Sequence, residues 1–410
     1  MASPQTMAKA LLNLVDVRVR RGMNTVLDRC SLRIETGQTV VLAGANGAGK
    51  TTLLEAAAGL LPVENGQIQH ADVVVRDDEG RTKSSPLNVG LTLQKNGMMG
   101  SEVLEERLQC AMSMNGRSVD SGPFLDAFGL THRANDLIAH LSQGQARKVA
   151  VLAGLLPAFA SNHPALVILD EPDAGLDDAS IETLSGWLNE LRGMGHGLLI
   201  ATHDERIMNL ATHRFEVGQE AKTQTKPPEE VKAHQRPSTP VKRLTPGAFG
   251  VRMHLRTLMW LNTNAIAGLL TLGILLSFGD FMGELNQMQR LGFVLAPVLA
   301  VALCGEPLVV ATREERTADW WRGVCGRPPH ASWLPLVIGL VFSSLSFTAL
   351  GEALDATSVA AGSLLCFSVW HGVGWMQRST QRLARPQAVF VGLLTPVLIL
   401  PYSLFVSLLS

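Results

Sequence analysis

The sequence lacks a cysteine framework, an excess of charge of either sign and a visible internal repeat. Its cysteines are odd in number and widely scattered, with no CxxC pair, so neither a disulfide framework nor a zinc site is indicated. We interpret them as reduced structural thiols: Cys30, Cys110, Cys304, Cys325 and Cys366. A formal net charge of −1 over 410 residues gives no sign of a nucleic-acid-binding surface, so no nucleic-acid partner is expected.

The N-terminus also lacks the succession of charged, apolar and small residues of a signal peptide, which predicts that the first half stays in the cytoplasm. Residues 1–218 mix polar and apolar residues, as a soluble domain with a core does. Residues 248–410 are dominated by long apolar runs, the composition of a membrane domain. Between them, residues 219–247 carry five prolines and almost no large apolar residue, and we interpret them as a flexible, semi-extended linker.

A glycine-rich loop follows an apolar strand in VVLAGANGAGKTTLL, residues 40–54. Its glycines allow a tight turn with inward-pointing N–H groups, and the turn runs into a helix N-terminus, where the dipole and the free amides favour phosphate. In such a P-loop Lys50 reaches the β and γ phosphates and Thr51 binds Mg²⁺. The predicted nucleotide-binding residues of this motif are Gly44, Asn46, Gly47, Gly49, Lys50, Thr51 and Thr52.

A second motif, LVILDEPDAGLD at residues 166–177, runs an apolar strand into two adjacent carboxylates, Asp170 and Glu171. A buried charge is costly unless something pairs with it, and two like charges side by side are worse. We therefore predict that Asp170 holds Mg²⁺ through water and that Glu171 accepts a proton from the attacking water. Many P-loop proteins share these two motifs, so they indicate the reaction class and not the family.

A third motif, HLSQGQARKVAVLAGLL at residues 140–156, is a polar turn before a helix with periodic apolar residues, another anion-binding helix start. Here the sequence resembles the ATP-binding cassette (ABC) family, whose signature LSGGQ corresponds to residues 141–145. Gln143 stands where glycine is usual in that signature. In that family the signature of one subunit closes on ATP held by the other. The resemblance implies nucleotide contacts from Ser142, Gly144 and Gln145. One chain supplies one P-loop and one signature, so we predict a homodimer.

Other family motifs follow in order, and the resemblance covers about residues 11–217. Gln94 in LTLQKN resembles the Q-loop glutamine, which senses Mg²⁺ and contacts the membrane domain. AGLD, ending at Asp177, is similar to the D-loop, and His203 in LLIATHDE matches the switch histidine. The aromatic residue that stacks on adenine is missing, and Arg21 occupies about that position. Arg21 either stacks on the base through its guanidinium plane or is a solvated loop charge.

The resemblance implies an ATPase that uses ATP and Mg²⁺. The implied catalytic residues are Lys50, Gln94, Glu171 and His203, and the implied Mg²⁺ residues are Thr51, Gln94 and Asp170. The implied fold is an α/β P-loop ATPase with a parallel sheet core, a helical subdomain and a small antiparallel β part. An all-α transmembrane domain follows it.

Apolar runs long enough for helices that cross a membrane predict about five spans in the second half. They fall at about 258–278, 291–311, 334–350, 357–376 and 388–409. Arginines concentrate in the loops 312–332 and 377–387 and acids in the alternate loops, so the positive-inside rule places the ATPase on the cytoplasmic side of the plasma membrane. The first arginine loop is predicted to couple the two halves by docking into a groove between the ATPase core and the segment after Gln94.

The membrane half resembles the ABC-2 exporters, and among them the B-type permease of the cytochrome c haem-export and maturation system. TREERTADWWRGVCGRPPH and RLARPQAVFVGLLTPVLILPYSLF carry this resemblance, and LSQGQARKVAVLAGLL is similar to the signature helix of the partner ATPase. A sixth helix is missing and the two subunits are fused. The resemblance implies haem-handling membrane partners. A pump for haem, lipid or drug, a machine that remodels a membrane complex, and a general ABC-2 exporter of a hydrophobic substrate remain open.

Some residues of the second half allow two interpretations. Glu306 is interpreted first as a snorkelling or helix-capping acid beside Pro307, and second as a substrate contact. His371 is interpreted first as a packed, hydrogen-bonded side chain and second as a haem ligand. Asn262 and Asn264 are expected to join helices. The DWW sequence at 319–321 reverses the order of a tryptophan-rich haem motif, and we assign it no role in haem handling.

Overall fold

The computed structural model describes residues 10–217, 224–225, 236–277 and 287–380. These residues divide into two compact units. The first comprises the described residues up to Thr245 together with Thr312–Pro328, and the second comprises those from Pro246 to Ala311 and from Pro329 onward. Most of the predicted linker, the acidic loop with Asp280 and Glu284, and the predicted span 388–409 lie outside the described residues.

The strands of the first unit are β1 (Ala10–Arg21), β2 (Asn24–Glu35), β3 (Thr39–Ala43), β4 (Asn65–His70), β5 (Val73–Asp77), β6 (Val89–Thr92), β7 (Arg117–Ser118), β8 (Leu166–Asp170), β9 (Gly197–Ala201), β10 (His213–Glu216), β11 (Gln224–Thr225) and β12 (Thr239–Pro240). One sheet has the order β11-β10-β3-β9-β8-β6, in which all neighbours are parallel except β10 and β11. A separate antiparallel sheet has the order β2-β1-β4-β5, and β7 pairs with β12. The parallel core and the small antiparallel part are confirmed.

The central strands form because short, continuous apolar runs suit a parallel sheet that is covered on both faces. β8 and β9 are buried at every position, LVILD and GLLIA. The helices of the first unit are α1 (Lys50–Ala57), α2 (Leu104–Ser113), α3 (Gly122–Ala127), α4 (Gln143–Phe159), α5 (Asp178–Gly193), α6 (Glu205–Met208) and α11 (Thr317–Cys325). Between β6 and α4 lie α2, α3 and two 3₁₀ turns, and α2 packs on α4. This is the predicted helical subdomain.

The signature-bearing helix α4 crosses β6 at a pair of glycines. A Cβ atom on Gly90 would lie 2.0 Å from the carbonyl oxygen of Gly154, and one on Gly154 would lie 2.2 Å from Oγ1 of Thr92. Both distances are too short for any side chain, so helix and strand can touch here only because both residues are glycine. This close contact fixes the position of α4 on the sheet.

The second unit consists of helices around an apolar core of aliphatic residues with Phe342, Phe347, Cys366 and Trp370. Its helices are α7 (Pro246–Thr257), a π-helical turn (Leu261–Ala265), α8 (Ile266–Leu276), α9 (Gln287–Leu303), α10 (Pro307–Ala311), α12 (Leu334–Ala349) and α13 (Ala356–Thr380). In the described part, Gln289–Ala311 and Ala356–Ser379 are long and apolar enough to cross a membrane. Pro246–Thr257 and Leu261–Leu276, bent by 61°, make a third if they form one span. The count of five stays a prediction.

The polar residues of the second unit have partners that the sequence did not indicate. Glu306 is fully buried, and Arg378 donates from Nη1 to its Oε2 at 2.9 Å, an ion pair that neither interpretation of Glu306 included. His371 Nε2 lies 2.8 Å from the carbonyl oxygen of Ser332, which agrees with its first interpretation. Asn264 donates to two carbonyl oxygens near the end of α9 and thereby joins helices as expected, whereas Asn262 is exposed.

Candidate active site

The P-loop connects β3 to α1, and its three glycines all have positive φ, as the tight turn requires. Gly49, the residue before α1, has a φ of 102°, and a Cβ atom there would lie 2.9 Å from a methyl group of Val26. No side chain caps the N-terminus of α1, so its first amides are available to an anion. Lys50 lies over the loop and donates from Nζ to the carbonyl oxygen of Gly44 at 2.6 Å.

The structure brings the P-loop helix and the acid pair together, as the sequence predicts. Thr51 Oγ1 lies 3.4 Å from Oδ1 of Asp170 although 119 residues separate them. Asp170 ends β8 and is only 2% exposed. Burial raises the pKa of its carboxyl group to about 6, while the hydrogen bond from Thr51 lowers it. A buried carboxylate with one long hydrogen bond beside a hydroxyl offers the hard oxygen ligands that Mg²⁺ prefers. Both side chains therefore fit a Mg²⁺ ion.

Gln94 and His203 are exposed and follow the carboxyl ends of β6 and β9. In the parallel sheet these strands flank β8, and β3 with its P-loop lies next to β9. The four strand ends lie at one edge of the sheet, where ligands bind in open α/β folds. The order of strands therefore places all four predicted motifs at that edge. Of the other predicted P-loop residues, Asn46 is exposed in the loop before α1, and Thr52 is buried in the first turn of α1.

The signature forms the start of α4, with an exposed Ser142 as the N-cap. Ser142 Oγ accepts a hydrogen bond from the backbone N–H of Gln145 at 3.3 Å, and Gln145 Oε1 accepts one from the N–H of Ser142 at 3.0 Å. This reciprocal pair is a capping box, which fixes the direction in which the helix begins. A Cβ atom on Gly144 would lie 3.1 Å from the carbonyl oxygen of Gly175, so the signature adjoins the AGLD segment.

The carboxylate of Asp177 accepts hydrogen bonds from two groups of its own chain. Its Oδ1 accepts from the N–H of Ser180 at 2.8 Å and so caps α5, and Lys148 donates to its Oδ2 at 2.9 Å. The hydrogen bond from Lys148, followed by those from Ser180, holds the pKa of this carboxyl group well below its usual range. Asp177 therefore links the AGLD segment to the signature helix through Lys148.

Arg21 ends β1 and forms an ion pair with Glu55 of α1. Glu55 also binds Arg316, and its side chain is only 2% exposed. Arg21 itself is 44% exposed, so it is a partly exposed, paired charge, which neither interpretation of it included. Glu55 was not predicted from the sequence, nor was Arg147 of α4, which donates to carbonyl oxygens of the acid pair. Glu55 is the one acidic residue of α1, a signal that could have been used, whereas Arg147 stands beside Lys148 and carries no such signal.

Most of the first arginine loop, Thr312–Pro328, belongs to the ATPase unit. Trp320 of α11 donates from Nε1 to the carbonyl oxygen of Leu91 in β6 at 2.8 Å. Glu315 accepts a hydrogen bond from the N–H of Gly97 at 2.8 Å through its carbonyl oxygen and one from the N–H of Asn96 at 3.2 Å through Oε2. The loop thus packs on the segment that follows Gln94, as predicted.

We expect the stability of the Asp170→Asn variant to show the cost of the buried carboxylate. Because the folded-state pKa is raised, the proton is bound more tightly in the folded state than in the unfolded one, and the wild type loses stability as pH rises from about 4 to about 6. The amide carries no such charge. Above pH 6 and without nucleotide or metal, the variant should unfold with a free energy higher by up to about 3 kcal/mol, at ~1.4 kcal/mol per pH unit.

Thermal unfolding of the full chain, followed by tryptophan fluorescence between pH 4 and 8 in the presence of a chelator, measures this difference. The gap between variant and wild type should close as pH falls to 4. Asp78→Asn, at an exposed carboxylate of the same unit, is the control. A gap that does not change with pH would contradict the prediction.

Comparisons with known proteins place the chain among transporters. The family model described as ABC transporter matches residues 27–174. The chain is 34% identical over 194 residues to the cytochrome c biogenesis ATP-binding export protein CcmA of Gluconobacter oxydans, a match that covers 47% of this chain and 81% of that protein. It is 28% identical over 224 residues to the methionine import ATP-binding protein MetN of Rhizobium etli, covering 52% of this chain and 60% of that protein.

Among solved structures, an ATP-binding subunit of an ABC transporter is similar, with 26% identity and a TM-score of 0.45 over 52% of this chain and 90% of that chain. An export protein and an import protein both occur among the relatives, so the direction of transport does not follow from them. The match to CcmA covers most of that protein. The chain therefore belongs to the ABC transporter family and carries an ABC ATPase, which binds and hydrolyses ATP.

Proposed function

We propose that the chain is an ABC half-transporter that works as a homodimer in the plasma membrane, with its ATPase unit on the cytoplasmic side. The observation that carries this proposal is the segment Thr312–Pro328. In the sequence it connects α10 to α12, two helices of the apolar second unit, and yet it belongs to the ATPase unit. Any movement of the ATPase at this segment is therefore transmitted along the backbone to the helices on both sides of it.

The site supports a division of roles within one catalytic cycle. The P-loop amides and Lys50 hold the phosphates, and Thr51 and Asp170, with Gln94, hold Mg²⁺. When bound, Mg²⁺ neutralises charge on the β and γ phosphates. Glu171 accepts a proton from the attacking water, and His203, at the neighbouring strand end, is the other residue proposed to act in hydrolysis.

The homodimer follows from the position of the signature. Ser142, Gly144 and Gln145 begin α4 at a capped but exposed helix start, and Asp177 lies beside them through its contact with Lys148. These groups complete the ATP site of the partner, and the partner's groups complete the site of this chain. Closure on two ATP molecules pulls the segment Thr312–Pro328 of each protomer, and hydrolysis releases it.

We propose that the chain acts in a cytochrome c haem-maturation system, together with haem-handling membrane partners. The similarity to CcmA and the resemblance of the second half to the permease of that system support this choice. One chain would then combine an ATPase and a permease that occur elsewhere as separate subunits.

Deletion of the gene in its native host tests the proposal. We expect membranes of the deletion strain to lose covalently bound haem, and the wild-type chain to restore it. Glu171→Gln should not restore it, whereas Glu182→Gln, at an exposed glutamate of α5, should. Unchanged haem staining in the deletion strain would refute the haem assignment and favour an ABC-2 exporter of lipid or drug.

A further inference from the structure

Arg147 contacts two motifs of the nucleotide site at once. It lies five residues after Ser142 in α4 and is 6% exposed. Its Nη2 donates to the carbonyl oxygen of Asp170 at 2.5 Å and to that of Glu171 at 2.7 Å. Its Nη1 donates to the carbonyl oxygen of Leu93, the residue before Gln94, at 2.7 Å. One planar group thus joins the signature helix, the acid pair and the Q-loop.

Packing alone does not account for a guanidinium group at this position. The rest of α4 from Val149 to Phe159 is buried, and a buried charge costs several kcal/mol unless it is fully hydrogen-bonded. Burial lowers the pKa of Arg147, and the nearby carboxylates of Asp170, Asp173 and Glu171 oppose that change. The main acceptors are backbone carbonyl oxygens, so the group fixes the main chain.

The main chain that it fixes is under strain. Glu171 has a φ of 47°, in the left-handed region, which costs a residue with a side chain about 1–2 kcal/mol. Its N–H donates to the carbonyl oxygen of Ala201 at 2.8 Å, and its own carbonyl oxygen accepts from the N–H of Ala174 at 3.0 Å as well as from Arg147. Loss of the guanidinium removes one of these three restraints, and relaxation of φ rotates the Glu171 side chain.

We propose that Arg147 is a positioning residue for ATP hydrolysis, which holds the backbone of Asp170 and Glu171 in the conformation that aims the Glu171 carboxylate at water. The inference rests on the proposed role of Glu171 as the general base. Because Arg147 and Ser142 share the first turns of α4, the acid pair is also fixed relative to the signature that meets the partner's nucleotide.

Steady-state hydrolysis by the full chain in lipid nanodiscs tests the proposal with Arg147→Lys and Arg147→Gln. We expect kcat to fall by about tenfold for lysine and about a hundredfold for glutamine, within the range that a 1 Å misplacement of a reacting group costs. KM for ATP should change by less than about twofold, because uniform binding is untouched. Lysine keeps the charge but cannot bridge both sets of carbonyl oxygens. Arg33→Gln, at an exposed arginine paired with Glu35, is the control.

Two further readouts separate positioning from folding. The folded fraction is counted by binding of a non-hydrolysable ATP analogue, and kcat is expressed per binding site. kcat and KM are then compared on the same samples, because a misplaced Glu171 carboxylate lowers kcat per site and leaves KM for ATP within about twofold of the wild type, whereas a loss of folded protein lowers only the number of sites. If kcat per site is that of the wild type, the proposal is overturned. If glutamine prevents folding, the lysine variant decides by the same criterion.

The parallel variant Glu171→Gln distinguishes this inference from the site assignment on which it rests. Hydrolysis by Glu171→Gln at the wild-type rate would show that Glu171 is not the general base, and the inference about Arg147 would fail with that assignment. An inactive Glu171→Gln beside a fully active Arg147→Lys would overturn only the role of Arg147.

Discussion

Replacement of Glu171 by glutamine is expected to lower the rate of ATP hydrolysis by about 10³-fold, within the range that a general base contributes. The amide has the shape of the carboxylate but cannot accept the proton of the attacking water. The backbone of Glu171 is held by Ala201, Ala174 and Arg147, and none of these hydrogen bonds uses the carboxylate. The substitution should therefore remove the chemistry and leave the loop in place. Phosphate release from the full chain in nanodiscs measures the rate.

The same variant should accumulate as an ATP-bound dimer, because closure occurs and the reset by hydrolysis does not. Cross-linking between protomers by an amine-reactive reagent, in detergent-free nanodisc samples, should increase with ATP in Glu171→Gln and decay with time in the active chain. Glu182→Gln should hydrolyse ATP as the wild type does. Normal turnover by Glu171→Gln would exclude it as the base, and the absence of cross-linked protomers with ATP would contradict the proposed homodimer.

The parts of the site that the sequence predicts are those made by short, local patterns. The glycine spacing before Lys50 and the apolar strand that ends in Asp170 each specify a strand end, and parallel strands place such ends at one edge. The 3.4 Å contact between Thr51 and Asp170 agrees with that rule. Arg147 could not be assigned in the same way, because its acceptors are backbone carbonyl groups, which every residue has.

Long-range ion pairs could not be predicted from the sequence, for a different reason. Glu55 binds both Arg21 and Arg316, and the second of these lies 261 residues away. Charge alone does not choose among many arginines, because the choice depends on which surfaces pack. Glu306 is a similar case, since its partner Arg378 is 72 residues away. For neither acid did the sequence indicate an ion pair, because the pairing depends on contacts between distant segments.

For the arginine loop, composition predicted the place where the loop packs but not the role of its tryptophans. Its charge and position predicted a coupling role, and the structure places it on the segment after Gln94. The DWW residues have no predicted role in haem handling, and in the structure Trp320 attaches the loop through its hydrogen bond to Leu91. Trp320 and Trp321 are both fully buried in the ATPase unit, so the aromatic residues hold the loop in place.

We expect Trp320→Ala to destabilise this attachment by about 3–5 kcal/mol, the usual cost of removing a buried tryptophan. The substitution leaves a cavity and an unsatisfied carbonyl group at Leu91, which now accepts from the indole N–H. It also removes the ring on which Arg107 lies, with Cζ 3.6 Å from the ring centroid. Gly97 touches the same indole, since a Cβ atom there would lie 2.8 Å from Cβ of Trp320.

The functional result should be uncoupling. In the part of the chain that the structure describes, the Trp320 indole donates its hydrogen bond to Leu91 and not to the P-loop, the acid pair or the signature, so basal hydrolysis by the folded protein should persist. The path from the ATPase to the helices on both sides of Thr312–Pro328 is lost when the segment detaches, and Trp320→Ala should then fail to restore covalent haem in the deletion strain. Trp375→Ala, at a tryptophan that is 66% exposed, should restore it.

Trp320→Phe separates the two contributions of the side chain. It keeps a ring beneath Arg107 but lacks the N–H group, so it should lose only the hydrogen bond to Leu91, about 1 kcal/mol, and keep most of the coupling. If Trp320→Ala restores haem fully at wild-type protein levels, the segment is not the coupling element. If it loses basal hydrolysis together with coupling, the tryptophan stabilises the whole ATPase unit, and its attachment cannot be separated from the fold.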